Sequence, residues 1–268
     1  MKILSLGDIH GRDKWMFHTH GSPYEFNYWK TSVENGAPGD DEFWKDLPYM
    51  QYDKIVFVGD YTDSYDLSNE IILNTLRNIM FFKKNVPNRV VLLLGNHDIQ
   101  YLVNGEICSG YRGELLADLK ELLSDKDCEF KIAHQETGED GKTWLWTHAG
   151  VTSKWLEQVK SEVFSEKYRL YELMKDYKDS NIADFINALW EIKNDRLFDV
   201  DYESGGVDVW AGPIWVRGCL TDFPIKDVNQ IIGHTPQSGI KVKFTKGSNH
   251  HYIDCLWDDC DDVLKINI

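Results

Sequence analysis

Five short apolar runs divide the chain, and each is typical of a buried strand. They occupy residues 3–6, 55–58, 90–94, 144–146 and 230–232. After the second and third runs, apolar residues recur at helical spacing over residues 68–82 and 113–123, with Ser68 placed to cap the first helix. A further strand-like run covers residues 129–133. This alternation of strand and helix predicts an α/β fold in the first half.

Residues 12–51 follow no sustained period and are polar, with aromatic and glycine residues interspersed. We therefore expect an elaborated loop between the first two strands. Its aromatic side chains either line a substrate cleft or form a small satellite core over the sheet. They are Trp15, Phe17, Tyr24, Phe26, Tyr28 and Trp29.

The second half begins with helical spacing and ends with alternating patterns. Residues of about 153–200 are predicted to form a helical insert that packs beside the functional site as a cap, not as a separate domain. The runs 240–244, 251–256 and 263–268 predict a terminal set of antiparallel strands. The length suits one domain over residues 1–268.

Each of the five apolar runs leads into a short cluster that contains glycine and residues of metal-binding type. The clusters are Gly7-Asp8-Ile9-His10-Gly11, Gly59-Asp60-Tyr61-Thr62-Asp63, Gly95-Asn96-His97-Asp98, Thr147-His148-Ala149-Gly150 and Gly233-His234-Thr235. Ligands at strand ends converge in α/β sheets, so we expect these clusters to meet. Asp8 and His10 are two residues apart, and on extended backbone their side chains point the same way. The pattern predicts a two-metal site.

The donor types restrict the metal. Asp60 has two carboxylate oxygens and could bridge two ions, Asn96 offers an amide oxygen, and His148 and His234 offer imidazole nitrogens. Such a set suits Mn, Fe, Zn or Co better than Ca or Cu(I).

A competing set of histidines lacks the strand-then-glycine context, and we interpret its members as structural or surface residues. It comprises His18, His20, His250 and His251.

Charge and cysteine usage restrict the partners. With 29 Lys and Arg against 44 Asp and Glu, the net charge of -15 disfavours nucleic acid and anionic lipid, although bound cations could still attract an anionic substrate. The first residues show no leader pattern, and no apolar stretch reaches the roughly 20 residues of a membrane span. The five cysteines are scattered and are expected to be reduced thiols. We expect a cytoplasmic protein; the sequence leaves its oligomeric state open.

The ordered motifs resemble those of the calcineurin-like metallophosphoesterase superfamily, and most closely its serine/threonine protein phosphatase branch and related bacterial and phage phosphatases. The resemblance implies a four-layer α/β/β/α sandwich of two mixed sheets with the metals at one edge. It implies that Asp8, His10 and Asp60 hold the first ion. It implies that Asp60 bridges to a second ion held by Asn96, His148 and His234. Manganese is the favoured metal.

The same resemblance implies roles in the reaction. A hydroxide between the two ions would attack the phosphorus atom directly, His97 would protonate the leaving oxygen, and Asp63 would orient His97. Ser64 and Tyr65 stand where the protein phosphatase branch usually has Arg-Gly, so a phosphate-binding arginine is missing there. Arg217 and Arg112 are the predicted replacements, with Arg12 less favoured.

Three functions are compatible with these residues. The leading prediction is a phosphatase for phosphate monoesters, with serine and threonine phosphoproteins among the candidate substrates. The alternative is hydrolysis of nucleotides or diadenosine tetraphosphate, or of phosphodiesters, with the aromatic segment after Gly11 stacking on a base. A non-catalytic scaffold is disfavoured, because degenerate members normally lose ligands or the acid and this chain keeps both. Substrate identity and metal identity stay open.

Overall fold

The computed structural model describes residues 1–165, 170–200, 208–245, 247–256 and 260–268. In these ranges nine strands form two sheets. The strands are β1 (Lys2–Leu6), β2 (Lys54–Phe57), β3 (Val90–Leu92), β4 (Ala133–Thr137), β5 (Thr143–Thr147), β6 (Val228–Ile232), β7 (Lys241–Thr245), β8 (Ser248–Tyr252) and β9 (Leu264–Asn267). The α-helices are α1 (Trp15–Thr19), α2 (Pro23–Glu34), α3 (Asn69–Asn85), α4 (Asn96–Ile99), α5 (Leu116–Leu123), α6 (Ser153–Val163), α7 (Leu170–Met174) and α8 (Ile182–Glu191).

Both sheets are mixed. The first has the order β3-β2-β1-β9, with β1, β2 and β3 parallel and β9 antiparallel at the edge. The second has the order β4-β5-β6-β8-β7, with β5, β6 and β8 parallel and an antiparallel strand at each edge. The parallel strands of each sheet therefore end at one side of that sheet, where ligand sites form in such folds.

The parallel strands of the first sheet are largely buried on both faces, which explains their continuous apolar runs, whereas β9 exposes Lys265 and Asn267. In β1, Ile3 packs between the two sheets, whereas Leu4 belongs to the core under the helices. Trp146 of β5 also lies between the sheets, and its Nε1 donates a hydrogen bond to Ser5 Oγ at 2.9 Å. With helices packed on the outer faces, the predicted four-layer α/β/β/α sandwich is confirmed.

Two sequence predictions for local structure hold closely. Helix α3 begins where Ser68 predicts, because the Ser68 hydroxyl accepts a hydrogen bond from Ile71 N at 3.4 Å. The second predicted helix is confirmed as a 3₁₀ turn, Gly113–Leu115, that continues into α5. Among the described residues, no helix has both the length and the apolar character that crossing a lipid bilayer requires.

The expected loop over residues 12–51 is wrong, because the segment contains α1, α2 and two 3₁₀ turns, Glu42–Trp44 and Pro48–Gln51. Of its aromatic side chains, Trp15, Phe26 and Trp29 are fully buried against the first sheet. The satellite-core interpretation is therefore correct for these three, while Phe17, Tyr24 and Tyr28 are exposed. Mutual packing of aromatic rings, and not a single periodic face, holds this segment together.

His20 lies inside this aromatic cluster, with ring centroids 4.9 Å from Phe26 and 4.8 Å from Phe82. Its Nδ1 is 2.9 Å from the Thr19 hydroxyl, and its Nε2 has no hydrogen-bond partner among the described residues. Burial lowers the pKa of His20 to about 3. The interpretation of His20 as a structural residue therefore agrees with its surroundings.

His20 takes up a proton near pH 6.5 in the unfolded chain but only near pH 3 in the folded chain. Above pH 6.5 the ring is neutral in both states, and the free energy of unfolding has its full value. This stability is lost as the pH falls, at up to about 1.4 kcal/mol per pH unit. We expect His20→Leu to weaken the pH dependence of the free energy of unfolding. Between pH 7 and pH 5, the wild type should lose about 2 kcal/mol more than the variant in urea titrations. Parallel pH profiles for the two proteins would contradict this account.

The predicted insert of about 153–200 is helical and contains α6, α7 and α8; residues 166–169 lie outside the described residues. Helix α8 covers the edge strand β4 through the Asn187 amide. Its Oδ1 accepts hydrogen bonds from Ile132 N at 3.0 Å and Ala133 N at 3.1 Å, and its Nδ2 donates to Ala133 O at 2.9 Å. The described helices of the insert thus contribute to the outer layer on the second sheet.

Two strand predictions need correction. Residues 129–132 are not a strand; a single bridge joins Leu93 and Lys131, and β4 begins only at Ala133. The three terminal strands do not form one antiparallel set, because β7 and β8 close the second sheet while β9 pairs with β1 of the first. A period of two identifies a strand but carries no information on the sheet that it joins.

Candidate metal centre

The predicted metal-binding residues converge at one rim of the two sheets. Asp8 and His10 follow β1, Asp60 follows β2, Asn96 follows β3, and His148 and His234 follow β5 and β6. A cavity of about 200 Å³ opens there. It is lined in part by Asp8, His10, Asp60, Asp63, His97, Arg217 and His234.

The turns after the strands have unusual backbone geometry. Four motif residues have positive φ angles, in the left-handed region that residues other than glycine rarely adopt. They are His10 at 44°, Asp60 at 52°, Asp63 at 54° and His234 at 61°. Such angles cost free energy and cluster at functional sites. Here they turn the side chains of these motifs toward one cavity.

Two motif glycines make room for carboxylates. A Cβ atom on Gly95 would lie 2.0 Å from Asp60 Oδ1, and one on Gly233 would lie 2.0 Å from Asp8 Oδ1. Both contacts are far below van der Waals separation. These glycines therefore let a carboxylate from the neighbouring strand end occupy the space that a side chain would fill.

Asp98, the last residue of the third motif, holds the second motif in place. Its carboxylate accepts hydrogen bonds from Asp60 N at 2.7 Å, Tyr61 N at 2.9 Å and Gly95 N at 2.9 Å. It is fully buried and lies behind the cavity, not in it. Asp98 thereby fixes the backbone that carries Asp60.

Four acceptor atoms lie close together, and His148 Nε2 is one of them. This nitrogen lies 2.9 Å from Asn96 Oδ1, 3.2 Å from His234 Nδ1 and 3.3 Å from Asp60 Oδ2. Hydrogen bonds at their far sides fix the orientation of these groups. His148 Nδ1 donates to Val58 O at 3.0 Å, His234 Nε2 donates to Trp215 O at 3.1 Å, and Asn96 Nδ2 donates to Cys108 Sγ at 3.1 Å.

Because a backbone carbonyl can only accept, each of these two histidines carries a proton on its outer nitrogen, and in the neutral form it presents a lone pair inward. The inward-facing atoms are then two imidazole nitrogens, an amide oxygen and a carboxylate oxygen. None of them carries a proton. A cation would satisfy all four, and outer hydrogen bonds of this kind are typical of metal ligands. The donor set therefore fits a divalent metal ion.

A second group of donors shares Asp60. His10 Nε2 lies 3.7 Å from Asp60 Oδ2, and His10 Nδ1 donates to Thr62 O and Asp63 O, each at 3.0 Å. His10 thus presents a lone pair toward Asp60, like the other two histidines. The His10, Asp60 and His97 ligand atoms lie within 4.8 Å of one another, as do those of Asp60, His148 and His234.

Asp8 completes this side of the cavity. Both of its carboxylate oxygens accept from His234 N, at 3.2 Å and 3.0 Å. Burial raises the pKa of Asp8 well above its ordinary value, and the nearby carboxylates of Asp254 and Asp60 raise it further. A cation bound here would oppose that shift and keep the carboxylates ionised.

The charges of Asp60 and the histidines are strongly linked. Burial alone would raise the pKa of Asp60, but His148 and His97 lower it below its ordinary value. Burial lowers the pKa of His234 well below its ordinary value, and His148 and Arg217 add to the effect. A neutral His234 beside an ionised Asp60 is the protonation state that metal binding requires.

His97 and Asp63 form a pair at the cavity. His97 Nδ1 lies 2.9 Å from Asp63 Oδ2, so an ionised Asp63 requires the proton on Nδ1 and leaves Nε2 for the cavity. Burial alone would lower the pKa of His97, but the charges of Asp60 and Asp63 and the hydrogen bond to Asp63 raise it. A raised pKa favours the protonated form, which suits an acid better than a metal ligand.

The predicted arginines occupy different places. Arg217 lines the cavity, and so does Arg12, which contacts Asp66 at 3.3 Å. Arg112 is not among the cavity-lining residues. Its guanidinium donates to Ser64 O, to Leu67 O at 2.7 Å and to Asn69 Oδ1, so it holds the loop after the second motif. These contacts place the Arg112 guanidinium away from the cavity lining, so phosphate binding by Arg112 stays an untested prediction that the geometry does not favour.

The surroundings of the cavity also differ from expectation. Apart from Arg12, no described residue of segment 12–51 lines it, and neither does any described residue of the insert 153–200. The rim instead includes Tyr65, whose side chain is exposed, and Asp66, with Ser109 and Gly110 also lining it. The insert therefore does not cap the cavity through the residues described here.

Asp254 is a residue of the site that was not predicted from the sequence. This residue is buried, lines the cavity and lies beside Asp8. The same pattern that marked the other motifs was present, because Asp254 follows the apolar pair Tyr252 and Ile253 at the end of β8. The missing glycine after the strand concealed it.

The family model of the calcineurin-like phosphoesterases matches residues 1–252, nearly the whole chain. No functionally curated protein matches the sequence significantly.

Several solved phosphatase structures are similar over most of the chain. A point mutant of a cold-active protein tyrosine phosphatase shares 17% identity and a TM-score of 0.46 over 93% of this chain and 70% of its own. The phosphatase domain of the Legionella effector WipB shares 12% identity and a TM-score of 0.42 over 88% and 100%. A dimetal phosphatase from Danio rerio shares 13% identity and a TM-score of 0.36 over 94% and 86%. Likeness at these values carries no information on substrate.

Proposed function

Because the chain belongs to the calcineurin-like phosphoesterase family and is therefore a metal-dependent phosphoester hydrolase, we propose that it hydrolyses phosphate monoesters. One observation carries the proposal: His10 Nε2 and His148 Nε2 both approach Asp60 Oδ2, and the His97 and Asp63 pair lies beside them at the cavity. We assign Asp8, His10 and Asp60 to one ion. Asp60, Asn96, His148 and His234 are assigned to the other. Manganese is the proposed metal, since oxygen and imidazole donors are combined.

Bound at this centre, two ions would polarise the phosphoryl oxygens and supply an activated water molecule for in-line attack. The protein side chains provide the rest. Arg217 lies at the cavity and would donate hydrogen bonds to the non-bridging phosphate oxygens, with Arg12 as a second donor. His97 Nε2 faces the cavity and would give its proton to the leaving oxygen.

The proposed substrates are phosphoserine and phosphothreonine in proteins. Alkoxides are poor leaving groups, so their departure requires a proton donor, and the raised pKa of His97 provides one. The whole chain, residues 1–268, is proposed to act as one domain around this site. No disulfide joins any of the described cysteines, which supports the cytoplasm as the proposed compartment.

A second candidate is a nucleotide or dinucleoside polyphosphate hydrolase. The observation that favours it is Tyr65, which is 82% exposed at the cavity rim and could stack on a base. The buried aromatic side chains of segment 12–51 cannot play this part.

A comparison of substrates separates the candidates. We expect the manganese-loaded protein to cleave a phosphoserine peptide with a higher kcat/KM than diadenosine tetraphosphate, and p-nitrophenyl phosphate better than bis-p-nitrophenyl phosphate. Faster cleavage of the dinucleotide would favour the second candidate. Preference for the diester would make the protein a phosphodiesterase.

The arginine assignment predicts that Arg217→Ala lowers kcat/KM for phosphate monoesters by about 10- to 100-fold, because a charge-assisted hydrogen bond contributes about 1.5–3 kcal/mol. Arg77→Ala, on the exposed side of α3, is the matched control and should leave kcat/KM unchanged. Arg112→Ala should instead lower thermal stability, since it removes the hydrogen bonds that hold residues 64–69. Equal kinetics for Arg217→Ala and the control would exclude Arg217 from phosphate binding.

A further inference from the structure

The carboxylate of Asp63 is held by three donors. Tyr101 Oη donates to Asp63 Oδ1 at 2.5 Å, while Gln100 Nε2 and His97 Nδ1 both donate to Oδ2. Asp63 and Tyr101 are each only 2% exposed, so water cannot replace these contacts. Both carboxylate oxygens are therefore engaged within the protein.

The direction of the tyrosine hydrogen bond is fixed by its other partner. Arg112 N donates to Tyr101 Oη at 2.9 Å. A hydroxyl has one hydrogen, and because the backbone amide is a donor, that hydrogen points to Asp63. The ring is held in place by stacking on Tyr111, with centroids 5.0 Å apart and planes 22° apart.

The orientation of Gln100 is fixed in the same way. Cys108 N donates to its Oε1 at 2.8 Å, so its Nε2 must face the other side. There it donates to Asp63 Oδ2 and to His97 O, the latter at 3.0 Å. Gln100 and Tyr101 stand three and four positions after His97, and helical spacing brings all three to the same side of the α4 turn.

We propose that Tyr101 and Gln100 are positioning residues, an inference that rests on the proposed function. They lock the Asp63 carboxylate in one orientation. The fixed carboxylate in turn aims His97 Nε2 at the leaving oxygen of the substrate. Neither residue lines the cavity, so neither touches substrate. Without Tyr101 the buried Oδ1 loses its donor, and the carboxylate can rotate about its Cβ–Cγ bond. His97 then samples orientations in which proton transfer to the leaving oxygen is poorly aligned.

The test uses leaving groups of graded basicity. The contribution of a proton donor grows with the basicity of the leaving oxygen, so the loss caused by a misaligned His97 should also grow with leaving-group basicity. We would measure kcat and KM of the manganese-loaded protein for phenyl phosphate, p-nitrophenyl phosphate and 2,4-dinitrophenyl phosphate. The variants are Tyr101→Phe and Gln100→Leu. Tyr111→Phe is the control, because it removes a hydroxyl from the stacked neighbour and keeps the ring.

We expect Tyr101→Phe to lower kcat for phenyl phosphate by about 10- to 100-fold, with a loss below about 3-fold for 2,4-dinitrophenyl phosphate. KM and manganese affinity should stay within about 2-fold of wild type, since no ligand contact is removed. Gln100→Leu should show the same trend, and it keeps the test open if Tyr101→Phe is unstable. Tyr111→Phe should follow wild type.

A loss of equal size for every leaving group would assign Tyr101 a purely structural role and overturn the proposal. Unchanged kcat values in both variants would overturn it as well. In either case an active wild type would leave the proposed function intact. A wild type that hydrolyses none of the three monoesters with manganese bound would overturn the proposed function and the positioning role together.

Discussion

Replacing Asp60 with Asn is expected to reduce monoester hydrolysis by on the order of 10⁴-fold, the largest effect of any single substitution in the cavity. The Asp60 carboxylate is common to both donor groups, with Oδ2 3.3 Å from His148 Nε2 and 3.7 Å from His10 Nε2. An amide removes the negative charge and replaces one acceptor oxygen with a donor, so both ions lose a ligand at once. The measurements are kcat/KM and the number of manganese ions bound per chain.

Asp13→Asn is the matched control, because Asp13 is an exposed carboxylate that does not line this cavity. It should bind manganese and turn over like wild type. An Asp60→Asn variant that bound two ions and kept its rate within about 10-fold would show that Asp60 does not bridge.

Replacing His97 with Asn should lower kcat by about 10²- to 10⁴-fold for substrates with poor leaving groups, because the proton donor is lost. Manganese content should be unchanged, since the assigned ligands remain. The effect should be largest for a phosphoserine peptide and smallest for 2,4-dinitrophenyl phosphate. His18→Asn, in the half-buried part of α1 away from the cavity, serves as the control.

Metal content decides between two roles for His97. Its ring lies 5.0 Å from that of His10, and its ligand atom lies within 4.8 Å of those of His10 and Asp60. If His97→Asn lost one manganese ion, His97 would be a ligand of the first ion and not the proton donor. The raised pKa of His97, which favours the protonated form, supports the proton-donor role.

The strand ends of the cavity could be predicted because their determinants are local. A buried parallel strand needs a continuous apolar run, as in Ile55 to Phe57, and its abrupt end at Gly59-Asp60 marks the turn. Parallel strands end on one side of a sheet, so the convergence of such ends follows from topology alone. The sequence did not reveal that Gly95 and Gly233 also make room for the carboxylates of Asp60 and Asp8.

What the sequence did not reveal depends on contacts between distant segments. Arg112 has the residue type and the sequence position expected of a phosphate-binding residue. Its guanidinium instead donates hydrogen bonds to the backbone carbonyls of Ser64 and Leu67, 48 and 45 residues earlier in the chain. Strand β9 pairs with β1 at the other end of the chain, and no pattern within β9 encodes that partner. The aromatic residues of segment 12–51 follow no period because they pack from several short helices into one cluster.

The most direct test of the central claim is a manganese titration of metal-stripped protein, followed by p-nitrophenyl phosphate hydrolysis and by the number of ions bound per chain. We predict that activity rises with manganese and reaches its maximum when two ions are bound, and that removal of the metal abolishes it reversibly. Full activity in the metal-free protein, or no hydrolysis at two bound ions per chain, would contradict the assignment of a dinuclear phosphatase centre.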